Sequence, residues 1–417
     1  MHIFKAPTVV PIASDVIANG AVAVDEGKIV YVGPADQAPE CDDVTEFTGV
    51  MMPGLVNAHT HLCYSSFSDM YTNEKEFFEW IQEFARRNPT LSDEEWRASV
   101  QAGIDESLRH GVTAVADVVS PAPALSTVLS SELAGVAYWE ACLIDNNGWE
   151  QQRNTWRDVL TESRATNNSA MDVGISPHTL YTIGTGVAKS LAELARTFEI
   201  RLHPHLAETE HEDLYVRHGA GPFAFMARRM GAEFEIAANG GEGHSPTVQM
   251  EKSRLLGSDS HVAHGVHVDE DDRKILLKNE TAVALCARSN KRLGAGEAPV
   301  AAYRAAGNKV AIGTDSRASA PDLDVAGEWM PLKRLALSQG DTGAGLDEWL
   351  VRAATEGGAD AMGRSDIGRL VEGARADLAV FDVQGSSNAY SALVSDAAGR
   401  CSATVVAGRL IKHEQVS

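Results

Sequence analysis

Cysteine is scarce in this chain: Cys41, Cys63, Cys142, Cys286 and Cys401 are scattered over 417 residues, odd in number and never spaced C-x-x-C. That disfavours a disulfide framework or a thiolate zinc site and makes a reducing, cytoplasmic setting the expectation. Basic residues are also in short supply. The 36 Lys and Arg against 58 Asp and Glu leave a net charge of −22, too acidic for a surface built to contact phosphates, so no nucleic-acid partner is expected. No run of about 18 apolar residues occurs, so no membrane-spanning helix is expected. The opening segment lacks a basic stretch followed by an apolar core and does not read as a secretory signal. Low-complexity tracts and solenoid-length repeats are missing as well. What remains is ordinary globular usage, 44% hydrophobic and 23% charged. The length suits two or three domains, or one α/β barrel of about 250 residues with an appendage.

Short β-like runs open the chain at Ala21–Val24, Lys28–Val32 and Val44–Phe47, and similar runs close it at Ala376–Phe381, Ala403–Val406 and Leu410–Ile411. Two β-rich ends flanking a different middle predict a small β-sandwich domain assembled from both termini, residues 1–50 and 369–417. Between them, over 51–368, strand-length apolar runs alternate with helical patterns. The strands are expected near Met51–Ala58, Val112–Val118, Gly135–Leu143, Met171–Ser176, Ile200–Leu206, His261–Val266, Ala282–Cys286 and Lys309–Gly313. One intervening helix, Asp93–His110, starts after Ser92 with Glu95 three residues on, the pattern of a capping box, and stops at Gly111. Eight strands with helices between them predict a (β/α)8 TIM barrel, an α/β fold. The polar stretch Asp145–Asn168 and the glycine-rich 239–243 read as loops or loop-helix excursions.

Polar residues stand at the C-terminal ends of these strands, where barrel enzymes build their sites. His59 and His61 end the first strand, His178 the fourth, His205 and Glu208 the fifth, His264 the sixth, Ser289 and Asn290 the seventh, and Asp315 the eighth. In His59-Thr60-His61 the imidazoles at i and i+2 share one side of an extended segment. Two imidazoles, a third from another strand and a carboxylate make a site for one divalent metal, zinc first and ferrous iron second, with a position left for water. His205 is preferred over His203 as the third imidazole because it stands three residues before Glu208, a candidate general base; His203 is assigned a supporting or packing role. Each acid also has a plainer reading, Glu208 as a solvated loop residue beside Glu210 and Glu212, and Asp315 as a helix N-cap. His264 would polarise the water or stabilise an oxyanion, with His261 and His267 as competitors. The aromatic cluster Phe77, Phe78, Trp80 and Phe84 fits the buried face of a helix better than a base-stacking surface.

Asn57-Ala58-His59-Thr60-His61-Leu62, His205-Leu206-Ala207-Glu208-Thr209, Ala263-His264-Gly265, Cys286-Ala287-Arg288-Ser289-Asn290 and Gly313-Thr314-Asp315-Ser316 together resemble the amidohydrolase superfamily, in particular its mononuclear aminohydrolase branch. Gly368–Leu378 resembles that superfamily's return into its β-sandwich, so the likeness spans nearly the whole chain. The resemblance implies His59, His61, His205 and Asp315 as metal ligands, Glu208, His264 and Asp315 as proton-transfer residues, and a homodimer acting on a small molecule. It implies hydrolytic deamination, in which Glu208 gives a proton to a ring nitrogen and ammonia leaves; general acid–base help of this kind is worth roughly two to four powers of ten.

Within that branch the likeness is to deaminases of 6-aminopurine nucleosides. His178, in Ser176–Tyr181, matches a histidine that faces the nucleoside, and a supporting role beneath the site is its plainer alternative. Arg288, Glu297–Tyr303, Ser316–Ser319 and Phe77–Ile81 resemble deaminases of 6-amino-6-deoxyfutalosine, in menaquinone synthesis, which becomes the first expectation. Arg288 would then face a substrate carboxylate, or equally close a salt bridge on the barrel rim. Ser289 and Asn290 are assigned to substrate as well. The alternatives are methylthioadenosine or adenosylhomocysteine deamination, another hydrolysis on the same metal (guanine, triazine or formimino C–N, or C–Cl), and, against the complete residue set, a scaffold without activity.

Overall fold

A computed structural model describes residues 1–72, 76–166, 170–384 and 388–413. Its strands in chain order are β1 (His2–Val9), β2 (Ile17–Asp25), β3 (Lys28–Pro34), β4 (Val44–Glu46), β5 (Val50–Pro53), β6 (Leu55–Thr60), β7 (Val112–Val119), β8 (Ala134–Ala141), β9 (Met171–Pro177), β10 (His205–Leu206), β11 (His261–His264), β12 (Ala282–Leu285), β13 (Val310–Ile312), β14 (Leu378–Phe381), β15 (Cys401–Val406) and β16 (Arg409–His413). Strands from both ends of the chain share one sheet, in the order β16-β15-β14-β5-β1-β2-β3, with β4 paired to β1. Phe4, Val22, Val24, Phe47, Met51, Leu378 and Val405 pack together as an apolar cluster in this region.

The middle of the chain forms two parallel four-stranded sheets, β6-β7-β8-β9 and β10-β11-β12-β13. Isolated parallel bridges join them at both seams: Ile175 to Leu202 and Leu202 to Ser260 on one side, Thr60 to Asp315 on the other. These strands are buried almost throughout, β7 along its whole length as Val-Thr-Ala-Val-Ala-Asp-Val-Val, with Trp139 and Glu140 of β8 half-buried and Asp172 of β9 exposed, because a parallel sheet covered by helices has no solvent face. Small residues line one interior layer, Ala58, Ala282, Ala284 and Ala311. Helices follow the strands, and Asp93–Arg109 begins with the expected capping box: Ser92 Oγ accepts from the Glu95 N–H while the Glu95 carboxylate accepts from the Ser92 N–H. No described helix is long and apolar enough to cross a membrane.

No expected run covers β1, and two further strands differ from expectation. The apolar run Met51–Ala58 is not one strand: β5 pairs with β1 and β14 in the terminal sheet, and β6 starts afresh beside β7. The chain changes sheets at Gly54, where any Cβ would collide with the Thr113 side chain. The run Ile200–Leu206 shortens to His205–Leu206, with Leu202 bridging its neighbours alone. Pro204 sits between and has no N–H to give. In the stretch expected as a loop or a loop-helix excursion at Asp145–Asn168, the helical alternative holds over Asn146–Thr166; Asn167 and Asn168 lie outside the described residues.

Candidate active site

The ends of β6, β10, β11 and β13 converge. Nitrogen donors of His59, His61 and His205 lie within 4.8 Å of one another, as do ligand atoms of His59, His264 and Asp315. His61 Nε2 is 3.4 Å from His205 Nε2, and Asp315 Oδ1 is 3.6 Å from His61 Nε2 and 3.8 Å from His59 Nε2. Burial pushes the imidazolium forms of His59 and His205 far out of reach, and the neighbouring histidines add to the effect. Three buried neutral imidazoles and one carboxylate facing a common point are the donor chemistry of a zinc or ferrous site. The His59 Nε2 atom, buried and without a hydrogen-bond partner, fits that use, since a stranded polar atom is costly unless something occupies it.

Supporting bonds fix these groups. Asp315 Oδ2 accepts from Ser289 Oγ at 2.6 Å and Ser319 Oγ at 3.0 Å, and Oδ1 accepts from the Ser316 N–H at 2.7 Å. His205 Nδ1 donates to the His178 carbonyl at 3.2 Å, which leaves its Nε2 as the lone pair facing the other donors. Gly313 lets β13 approach β6 this closely, because a Cβ there would sit 2.8 Å from His59 backbone atoms.

Glu208 is buried, with Oε1 3.7 Å from His264 Nε2. Burial lifts its carboxyl to about 7, with His264 opposing and Asp315 adding to the shift, so it holds and releases a proton near neutrality. The solvated-acid reading of Glu208 therefore does not describe this structure. His264 Nδ1 donates to Asn290 Oδ1 at 3.0 Å, which turns Nε2 toward Glu208. Of the competitors to His264, His261 Nε2 is spent on the Ala58 carbonyl and His267 Nε2 on the Ala295 carbonyl.

The residues expected at the substrate divide. His178 stands at the edge of the donor set, its Nδ1 2.8 Å from Thr182 Oγ1 and its Nε2 3.8 Å from Glu140 Oε1, and burial lowers it to about 4. Ser289 and Asn290 are engaged within the protein, holding Asp315 and His264 as described above. Arg288 is closed on all sides: Nε to Glu328 at 2.6 Å, one terminal nitrogen to Asp322 at 2.7 Å, the other to the Asp324 carbonyl at 2.7 Å. Of its two expected roles the geometry is that of the salt bridge, with its donors committed to Glu328, Asp322 and Asp324.

Glu140 was not anticipated. One oxygen bonds Ser120 Oγ, the other is buried without a hydrogen bond, and its carboxylate falls within 4.8 Å of the His178 and His205 donor atoms. The signal was available: a lone acid near the end of an otherwise apolar strand, β8, much as Asp117 near the end of β7 takes the Leu62 N–H at 2.7 Å. Ser319 enters the sequence reading only within the Ser316–Ser319 resemblance, because it belongs to the site through Asp315.

Residues 50–411 match the amidohydrolase family. A Halobacterium salinarum protein named 5-methylthioadenosine/S-adenosylhomocysteine deaminase is 32% identical over 378 residues, 88% of this chain and 80% of the relative. Among solved structures, Helicobacter pylori aminofutalosine deaminase in complex with methylthio-coformycin superposes with a TM-score of 0.84 at 21% identity, covering 99% of this chain and 100% of the other. An adenosine deaminase from Xanthomonas campestris with bound zinc does so with a TM-score of 0.81 at 23% identity, covering 99% and 92%. The converging histidines and Asp315, the buried Glu208 beside them and a match running through both the parallel sheets and the terminal sheet have one reading: the chain belongs to the amidohydrolase family.

Proposed function

We propose that this amidohydrolase is a metal-dependent hydrolytic deaminase of 6-aminopurine nucleosides, with 5′-modified adenosines of the methylthioadenosine or adenosylhomocysteine kind as its first substrate class. The observation that carries the reading is Glu208, a carboxyl held near pH 7 at 3.7 Å from His264 and beside the His59, His61, His205 and Asp315 donor set. The substrate class is supported by the 32%-identical relative. The expectation of 6-amino-6-deoxyfutalosine rested in part on Arg288 as a motif residue that would face a substrate carboxylate or close a salt bridge; its guanidinium is occupied by Glu328, Asp322 and Asp324, so futalosine becomes the second reading. We also read the two parallel sheets and their seam bridges as one closed (β/α)8 barrel, and the terminal strands as a separate β domain over 1–50 and 369–417 that reaches into β5.

A divalent ion held by His59, His61, His205 and Asp315, zinc first, supplies an acidified water when bound. Asp315, oriented by two serine hydroxyls on Oδ2, is the carboxylate placed to accept a proton beside the donor set. Glu208 places a proton on the purine ring nitrogen beside the carbon that loses its amino group, and His264, its Nδ1 committed to Asn290, presents Nε2 to the same carboxyl. Burial of all three side chains excludes bulk water from these transfers.

The test is ammonia release by zinc-replete protein from methylthioadenosine, adenosylhomocysteine, 6-amino-6-deoxyfutalosine, adenosine and guanine. Preference for either of the first two supports the proposal, and preference for the third reinstates the second reading. Silence on every adenine nucleoside with metal bound overturns the deaminase assignment.

A further inference from the structure

Behind the donor set lies a closed cycle of three histidines. We propose that His203 is a positioning residue: its unprotonated Nε2 dictates the tautomer of His59 and aims the His59 lone pair at the metal position. The inference rests on the metal-centre reading above and goes beyond it to a residue outside the donor set.

The protons can be assigned one at a time. His203 Nδ1 lies 2.9 Å from the carbonyl oxygen of His261; a carbonyl only accepts, so the His203 proton is on Nδ1. A neutral imidazole has one N–H, and His203 is fully buried, so its Nε2 is an acceptor. That atom is 2.8 Å from His59 Nδ1, which must therefore be the donor. His59 Nε2 is left with a lone pair and no other partner. His261 Nε2 lies 3.0 Å from the Ala58 carbonyl, so its proton is there, and its unpartnered Nδ1 is a bare acceptor rather than a stranded donor. The His203 and His261 rings stack with centroids 3.8 Å apart, which fixes the plane of the cycle.

Each link thus gives one proton in one direction: His59 to His203, His203 to the His261 backbone, and His261 to the backbone of Ala58, the residue before His59. The cycle ties β6, the segment before β10, and β11 together directly beneath the ligands. The opposite tautomer of His203 would turn an N–H toward His59 Nδ1. That would force the His59 proton onto Nε2, where it blocks ligation. Such outer partners of metal-bound histidines commonly govern affinity.

Two substitutions separate this role from packing. His203→Asn keeps an N–H near the Nδ1 position but deletes the acceptor, whereas His203→Gln extends an amide oxygen to the Nε2 position. Zinc affinity is measured by chelator competition on the purified chain. His203→Asn is expected to weaken zinc binding roughly 10- to 100-fold, with His203→Gln within about threefold of the parent. Parental affinity in His203→Asn overturns the proposal alone, and so does a Gln variant that falls as far as Asn, which assigns His203 to packing. A parent chain that binds no zinc overturns the metal-centre reading and the proposal with it. If His203→Asn does not fold, nitrogen NMR of the histidine rings in the zinc-loaded parent decides. Protons on Nδ1 of His59 and His203 and on Nε2 of His261 are expected, and a proton on His203 Nε2 refutes the assignment.

Discussion

Replacing Arg288 with methionine tests whether this residue serves the substrate or the scaffold. Glu328 is fully buried and takes the Arg288 Nε at 2.6 Å. Burial pushes the Glu328 carboxyl up while Arg288 opposes the shift. Without the guanidinium, its oxygens keep only the backbone N–H of residue 288, at 3.1 Å. Removing one partner of a buried pair costs about 3–5 kcal/mol, because the other charge stays behind. With an unfolding entropy of about 2.1 cal/mol/K per residue, a chain of 417 residues loses about 3 to 6 °C in Tm. The double variant Arg288→Met, Glu328→Gln should recover most of that loss, since a neutral amide leaves no charge uncompensated. Calorimetry of the parent, both single variants and the double variant reads the coupling directly.

The same variants are assayed for the ratio of kcat/KM on 6-amino-6-deoxyfutalosine over methylthioadenosine. A scaffold role predicts a ratio unchanged within about twofold. A contact from Arg288 to a substrate carboxylate would contribute about 1.5–3 kcal/mol, or roughly 10- to 150-fold in that ratio. A drop of more than tenfold with an unchanged Tm refutes the reasoning and returns Arg288 to the substrate.

Glu208→Gln should keep its zinc and lose turnover by about two to four powers of ten, whereas His59→Ala should lose the zinc itself; metal analysis beside steady-state rates separates the two, and near-normal turnover in Glu208→Gln would remove it from the chemistry. Glu212 gives a pH prediction outside the ligand set. Burial pushes it up to about 8 from 4.5, although its carboxylate accepts the Glu208 N–H at 3.2 Å. Its contribution to stability is therefore whole below pH 4.5. Between 4.5 and 8 the unfolded chain ionises this group while the folded chain keeps its proton, so stability falls by up to about 1.4 kcal/mol per pH unit. Glu212→Gln removes that dependence, and its Tm advantage over the parent should widen from pH 5 to pH 8; an advantage that stays constant across the range refutes the assignment.

The parts of this molecule legible in the sequence are those written in residue type and spacing. His59-Thr60-His61 needed only the two-residue period of an extended chain, and the capping box at Ser92 and Glu95 only a three-residue offset. The glycine-rich stretch also forms turns, with Gly240, Gly241 and Gly243 at φ of 76°, 96° and 72°. Trp80 and Phe84 stack 5.3 Å apart on one helix, and Phe84 meets Tyr64 at 4.4 Å, as a packed face requires. What escaped depends on partners distant in sequence. The run through Gly54 is apolar on both sides, and nothing local says that the chain changes sheet there, pressed against Thr113. Helix Asn146–Thr166 falls in a stretch read as a loop or a loop-helix excursion, and its polar composition left the two open. Ser289 and Asn290 carry the right chemistry for a ligand, but each has a partner in the fold supplied by another strand or the turn after it, Asp315 and His264.

Backbone strain is a further property of the site that residue type conceals. Ala207, His264 and Asp315 have φ of 49°, 71° and 62°, a left-handed conformation that costs a non-glycine residue about 1–2 kcal/mol. Each lies at or just past the end of a strand, and two of them are themselves candidate chemical groups, while Ala207 directly precedes Glu208. Hydrogen bonds hold these turns in place. The Ala207 carbonyl accepts from the N–H groups of Val266 and His267, and the Asp315 N–H donates to the His59 carbonyl at 3.0 Å. Had the chain continued in extended form, successive side chains would have alternated between the two faces of the sheet. The left-handed residue breaks that alternation at the strand end, where Glu208, His264 and Asp315 are brought to one centre. The strain persists because neighbouring strands over-determine it. The long-range pairing of β6 with the segment after β13, and of β10 with β11, therefore belongs to the candidate site as much as to the fold.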